Sequence, residues 1–571
     1  MRRDVLIVGG GMAGLTAAAY LCKAGLGPTL LEKEKTLGGL VNSFSRGGFT
    51  FDGGIRAIEN SGIVAPMLKQ LGIELDFLPS TVSVGFGSDV VRLASKESLK
   101  DYCDLTCRSF PDNQAEVNAI IGEVATVMEY MDVLYGIDNP LFLDLKNDPK
   151  YVFRTILPWM FKYIRTMPKI GKLGMPVYDY LAGFTGNPSL VDMFAQHFFR
   201  QTPTFFALSY FSLYLDYKYP RGGTGSLPAR LEAYILAHGG KILRETEVVL
   251  VEPGAGKVTD SRGVEHPYGR LLWAADCRAL YRRLDLGSLK AGGASARIVK
   301  GIEERAAEVA DKSGGDSVFT LNLSLDLEPG YFSKIASAHF FYTPLTKGLS
   351  AVPFSELEIR EPAGGQASGQ PSGQASGQRS SQRSGQPAGG PALTSDKATL
   401  FDWVGRFLDL NTYEISCPAL RDPSLAPEGK TGLIVSILMD YSLVRHIRDL
   451  GWYGEFRDFC AGRIVDILDG AIFPGLKAAV LDSFTSTPLT IEALTGNTDG
   501  AITGWAFTNE NMPAVSKLPL VARSVLTPVP GVYQAGQWSY SPSGLPISIL
   551  TGKLAADRIA RDLAKQARRP D

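Results

Sequence analysis

The chain opens on an unbroken apolar run, Val5 to Val8, followed by three glycines and a stretch rich in alanine and leucine. A short run without alternation predicts a strand covered on both faces, as in a parallel sheet. "LTAAAYLCKAG" then predicts a helix stopping at Gly25, and "PTLLE" a second strand ending in Glu32. Near the other end "GVYQAG" reads as a strand, and "LPISILTGKLAADRIARDLAK" as an amphipathic helix with Pro546 in its first turn. Between these ends, residues 95–218 carry a largely helical pattern. "DSVFTLNLSLDL", "KATLFDWVGRF" and "TGLIVSILMDY" are predicted strands.

The glycines decide what the first unit holds. Read as a membrane span or secretory leader, Asp4 to Leu26 fails: Gly9-Gly10-Gly11 interrupts it, Asp4 and Lys23 sit at its edges, and no small-residue cleavage site follows. Read as strand, turn and helix, it contains GxGxxG from Gly9 to Gly14. Gly9 permits the tight turn, Gly11 lets a pyrophosphate approach the backbone, and Gly14 lets helix and strand pack closely. Glu32, eighteen residues after Gly14, is placed to accept from a ribose 2′-hydroxyl and to repel a 2′-phosphate. The unit predicts a dinucleotide cradle.

Composition narrows the rest. A net charge of −1 gives no basic field for nucleic acid. Six scattered cysteines suit a reducing compartment, with Cys103 and Cys107 as free thiols rather than half of a metal site. The five histidines form no metal-binding spacing, so no metal is expected. From Gly364 to Gly390 serine recurs every fourth residue with almost no apolar side chain, which predicts a disordered loop. Tyr151 to Leu181 interleaves aromatic and basic residues between prolines. It reads either as an ordinary helix pair or as a segment lying in an anionic membrane interface. The aromatics from His197 to Tyr217 predict core, or the wall of an apolar tunnel.

Further blocks carry a resemblance. "KEKTLGGLVNSFSRGGFTFDGGIRAIE" follows Glu32, and "YPRGGTGSLPARLEAYILAHGGKILRETEVVLV" and "LLWAADCRALYRRL" come mid-chain. "YEISCPALRDPSLAPEGKTGLIVSI" and "PVPGVYQAGQWSYSPSGLPISILTGKLAADRIARDL" complete the order. Together they resemble the phytoene desaturase, carotenoid isomerase and retinol saturase-like branch of the FAD-dependent amine oxidase superfamily. The resemblance implies FAD as cofactor, held by Gly9, Gly11, Met12, Ala13, Gly14, Glu32, Lys33, Gly38, Gly39, Leu40, Gly54, Ile55, Val248, Gly536, Gln537, Leu545, Pro546 and Ile547. In the family the final helix points its positive end at the flavin's pyrimidine edge. The chain departs in one place: Leu40 stands where many members have Arg after the glycine pair, and Arg56 stands where the saturase branch has His.

The expected fold class is α/β, a discontinuous Rossmann-like FAD-binding domain with a strand-rich substrate domain and a helical insertion. The expected FAD-binding parts are 1–80, 219–290 and 501–571, the insertion 95–218, and the substrate domain 291–500. The resemblance implies an FAD-dependent oxidoreductase acting on carbon–carbon bonds of a hydrophobic polyisoprenoid by desaturation, isomerisation or saturation. A flavin amine oxidase and a non-catalytic flavoprotein are the alternatives. Motif position makes Arg56, Trp538 and Tyr540 candidates for groups beside the flavin. A cytoplasmic protein with peripheral membrane association is the expected setting.

Overall fold

The computed structural model describes residues 4–143, 148–359 and 392–567, so the expected loop 364–390 lies outside the described residues. The apolar first strand, Val5–Val8, sits at the centre of a five-stranded sheet. Its order is Lys241–Leu243, Thr29–Leu31, Val5–Val8, Arg270–Trp273, Val532–Gln534, every pair parallel. Helices Met12–Lys23 and Leu545–Ala567 pack together, burying Leu15, Ala17, Leu21, Ile549 and Ala555 in one core. They approach so closely that a Cβ on Gly552 would lie 2.4 Å from the carbonyl oxygen of Ala13. The two ends of the sequence therefore build one unit.

A second, seven-stranded sheet runs Val480–Ser486, Ser317–Leu325, Thr431–Met439, Tyr413–Ser416, His339–Thr343, Val82–Phe86, Asp89–Leu93. It is antiparallel except where His339–Thr343 meets Val82–Phe86. Helices including Gln114–Tyr135, Leu157–Gly171 and Tyr210–Asp216 fill the stretch between the strands at 89–93 and 217–220. A small sheet of Ile58–Glu59, Tyr217–Pro220 and Phe77–Pro79 joins this helical part to the parallel-sheet unit.

One predicted strand is a helix. "KATLFDWVGRF" lies in Lys397–Leu410, and its buried residues Leu400, Trp403, Val404 and Leu408 follow the helical spacing of three and four. Asp396 caps it by accepting from the Thr399 N–H at 2.8 Å. Three elements also fall outside the expected bounds. Val82–Phe86 and Asp89–Leu93 extend the seven-stranded sheet, because Val82 pairs with His339. Ala296–Ala310, within the expected substrate domain, buries Ile302 with Leu6, Val8 and Leu271 of the parallel sheet. An amphipathic helix follows whichever core its apolar stripe fits.

Candidate active site

The first turn is built as the glycine spacing requires. Gly9 has φ of +104°, and a Cβ there would meet the Ala274 carbonyl oxygen at 2.7 Å. Gly11 is extended, and a Cβ on it would meet nothing within 4 Å. The helix behind it has no side-chain cap and no acidic residue in its first turn. Its positive end therefore opens onto free space. Glu32 closes the side of this turn, Oε2 accepting from the Gly10 N–H at 2.6 Å and Oε1 from the Glu34 N–H at 2.9 Å. Burial pushes its carboxyl above the usual range, against the pull of these two backbone donors. Gly38 donates to the Gly10 carbonyl at 2.8 Å, and a Cβ on Gly39 would stand 3.3 Å from the Gly11 Cα. The glycine pair thus crosses the first turn at near contact.

The "FDGGIR" segment is fixed from below. Asp52 accepts from the Tyr219 hydroxyl at 2.7 Å, from the Thr224 N–H and hydroxyl at 2.8 and 2.9 Å, and from the Ser43 hydroxyl at 2.9 Å. Gly54 lies against Leu40, whose carbonyl oxygen would be 1.9 Å from a Cβ there. Arg56 then turns inward, donating to the Asp52 and Gly54 carbonyls at 2.7 and 2.5 Å and to the Ser436 hydroxyl at 2.9 Å. Burial lowers its pKa.

From the far side come Val248, which is buried, and Gly536, whose N–H donates to the Thr551 hydroxyl at 2.9 Å. Leu545, Pro546 and Ile547 open the final helix, again with no acidic residue in the first turn. One cavity of about 1940 Å³ is lined by every residue expected at the cofactor except Gly14. Gly14 lies beneath it, where a Cβ would be 1.9 Å from the Gly9 carbonyl oxygen. Lys33, also on the lining, bonds Glu34 and the Ala493 carbonyl. Arg56, Trp538 and Tyr540 all reach the lining. Trp538 is packed edge-on against Trp505 and donates to Asn497 Oδ1 at 3.3 Å, which fits a wall. The Tyr540 hydroxyl faces the Ser516 carbonyl at 3.4 Å.

The same cavity continues into an aromatic chamber, with Phe198, Phe206, Tyr210, Tyr217 and Phe341 on its walls. Its floor is the seven-stranded sheet. Across five strands the register aligns Ser486, Thr320, Ser436, Glu414 and Phe341 in one row. Glu414 Oε1 is 2.9 Å from His339 Nε2. Burial would raise the Glu414 pKa, but His339 and Arg56 hold it below the usual carboxylate range. Burial lowers His339, and it takes His197 down to about 4. The floor at neutral pH is therefore an ionised Glu414 facing the Arg56 guanidinium, beside two neutral imidazoles. Glu59, His197, His339, Glu414 and Ser436 were not among the sequence candidates. The available signal was the alternation Thr320, Asn322, Ser324 within an apolar strand and the single Ser436 in "LIVSILM", polar positions inside otherwise buried strands.

The chain that builds this groove and chamber is similar to known proteins. The flavin containing amine oxidoreductase family matches residues 12–276. The prolycopene isomerase of Daucus carota is 21% identical over 99% of this chain and 81% of its own length. The chain is a flavin-dependent oxidoreductase, similar in sequence to carotenoid isomerases and retinol reductases. An inactive all-trans-retinol 13,14-reductase of Danio rerio is 25% identical over 42% of this chain and 41% of its own. Among solved structures, an oxidoreductase from Methanosarcina mazei superposes with a TM-score of 0.56. It covers 98% of this chain and 100% of its own at 13% identity, a likeness of fold. The expected α/β class with a flavin unit, a second sheet and inserted helices agrees with these relatives.

Proposed function

We propose that the cradle holds FAD and that this flavoprotein changes the number or geometry of double bonds in a hydrophobic polyisoprenoid. The continuity of the cavity carries the reading. The glycine groove, the two helix ends and the aromatic chamber are one space, so a long apolar molecule entering the chamber ends at the cofactor groove. The groove fits FAD on its own features. Gly11 opens a path for a pyrophosphate where any Cβ would project, and Gly38 and Gly39 bring a second backbone against it. Glu32 keeps unused lone pairs for ribose hydroxyls, and Val248 offers an apolar wall to adenine. When bound, the flavin supplies hydride transfer to or from carbon.

The chain's own residues orient and dry the substrate. Phe198, Phe206, Phe341 and Tyr217 hold an apolar chain by burial, and Arg56 and Glu414 fix charge at the floor. Access runs past the helix Leu157–Gly171. Its inner face puts Met167, Ile170 and Gly171 on the cavity, while Phe161 and Ile164 stand 68% and 61% exposed on the outer face. No helix among the described residues is long and apolar enough to cross a membrane. An exposed apolar face beside Lys162, Arg165 and Lys169 suits a peripheral contact with anionic lipid, from which a polyene enters without crossing water.

The test is anaerobic incubation of the flavin-loaded protein with candidate polyenes, followed by mass analysis and chromatography of isomers. A change of two hydrogens or of double-bond geometry is expected. Oxidation of small amines with release of peroxide, and no reaction with polyenes, would replace this reading with the amine oxidase one.

A further inference from the structure

Glu59 is a carboxyl without a task in the fold. It ends the short strand Ile58–Glu59, opposite Tyr217, and lines the cavity. Among the described residues its carboxylate makes no hydrogen bond or ion pair, unlike Asp216 beside it, which accepts from the N–H groups of Asn60 and Ser61 at 2.8 and 2.9 Å. Its Oε1 reaches toward the mouth of the final helix, 3.6 Å from where a Cβ on Gly544 would stand. The surroundings are aromatic: Tyr135, Tyr210 and Tyr217 all feel its charge, and all three line the same cavity. An acid held unpaired in such a place is costly to ionise.

Resting on the flavin oxidoreductase reading above, we infer that Glu59 is the proton donor and acceptor for the substrate's double bond. In the reducing direction its O–H bond breaks as a C–H bond forms at one alkene carbon, the electron pair staying on the carboxylate. The neighbouring carbon takes the hydride that a reduced flavin provides, so the alkene gains two hydrogens. In the oxidising direction the Glu59 carboxylate would take the proton from one carbon, its O–H bond forming as that C–H bond breaks, while the hydride leaving the neighbouring carbon would go to an oxidised flavin held in the groove.

The electrostatics agree. Burial, helped by the Asp216 charge, raises the Glu59 pKa to about 7, which lets one carboxyl serve in either direction near neutrality. The titratable groups facing it are Asp216 and the three tyrosines; burial raises the Asp216 pKa, and Lys218, on the strand paired with it, opposes that in part. Burial raises the hydroxyls of Tyr135 and Tyr210 well above the usual tyrosine range, so they stay protonated.

The experiment compares the flavin-loaded wild type with Glu59→Gln and Glu59→Asp in heavy water, with a polyene the wild type converts. Wild type should place solvent deuterium at one product carbon, and Glu59→Gln should lose about a hundredfold or more in rate with flavin content unchanged. Partial recovery by Glu59→Asp, with a shifted pH profile, supports the role. Equal deuterium uptake and an unaltered pH profile in Glu59→Gln overturn it. Should no polyene be converted, the polyisoprenoid reading itself fails, and infrared difference spectra still judge the residue. Binding of a polyene should perturb a carboxyl band absent from Glu59→Gln, and an unperturbed band overturns the inference.

Discussion

Gly14 packs against the carbonyl oxygen of Gly9 so tightly that a single methyl group would stand 1.9 Å from it. Three residues earlier, at the helix start, Gly11 faces open cavity. The same substitution chemistry should therefore have opposite readouts. Gly14→Ala forces strand and helix apart and should destabilise the apoprotein by about 1–3 kcal/mol. A Cβ on Gly11 meets no protein atom within 4 Å, so Gly11→Val should leave the melting temperature of the apoprotein close to wild type while abolishing flavin binding. Absorbance of bound flavin and thermal melts of flavin-free protein check both halves.

These positions were readable because the physics there is local. A strand, a three-glycine turn and a helix occupy consecutive residues, and Glu32 lies one strand further on. The final helix was readable for the same reason, with Pro546 and a 3.6-residue stripe marking its start. The helix Lys397–Leu410 was misread because Phe401, Trp403, Val404 and Phe407 favour strands locally, whereas the buried set follows helical spacing. The chamber floor was not readable at all as a site. Ser486, Thr320, Ser436 and Glu414 come from four strands and meet only through cross-strand register. Glu59 reaches the cavity through pairing with Tyr217, far along the chain; it ends the "FDGGIRAIE" block, but nothing in that block's pattern singles it out.

The described residues on either side of the serine-rich segment lie against each other. The Ile359 N–H donates to the Ala392 carbonyl at 2.7 Å, and Glu358 bridges to Leu393. Closing those ends with a short Gly-Ser linker in place of 364–390 shortens a loop whose closure entropy varies slowly with length. Stability should change by less than about 1 kcal/mol, with flavin content retained. Urea unfolding and flavin absorbance measure it, and a large loss of either would mean that the segment packs on the fold.

His197 and Glu59 should give stability opposite dependences on pH. The folded protein holds His197 neutral down to about pH 4, while the unfolded chain protonates it near 6.5, so its term is lost as pH falls through that range. Glu59 titrates near 7 in the fold and near 4.5 when unfolded, so its term is present at low pH and lost as pH rises through about 7. Where the windows overlap, the two oppose each other. Relative to wild type, His197→Gln should become less stable as pH rises from about 5 to 7, and Glu59→Gln more stable. Urea midpoints at several pH values show the two slopes, and parallel curves for all three proteins would contradict the burial of both groups.

The helix Leu157–Gly171 should dock on lipid through two separable contributions. Its inner side is tied down, with the Trp159 indole N–H donating to the Val133 carbonyl at 2.6 Å and Met167 and Ile170 on the cavity. Its outer side cannot pack on the protein, leaving Phe161 and Ile164 exposed together with Phe153 on the preceding turns. Burying such side chains in an interface contributes about 1.5–3 kcal/mol each at most, independent of salt. Lys162, Arg165 and Lys169 add about 1 kcal/mol each on an anionic surface, and salt screens that part. Neutralising the three bases together should abolish the salt dependence and the preference for anionic vesicles, yet leave weak binding to neutral ones. Phe161→Ser with Ile164→Ser should weaken binding to both vesicle types and slow conversion of a lipid-dissolved polyene more than of one supplied in detergent. Vesicle sedimentation at low and high salt separates the two terms. Binding unchanged in both variants would leave this helix as an ordinary solvated cover over the cavity, and substrate would have to enter elsewhere.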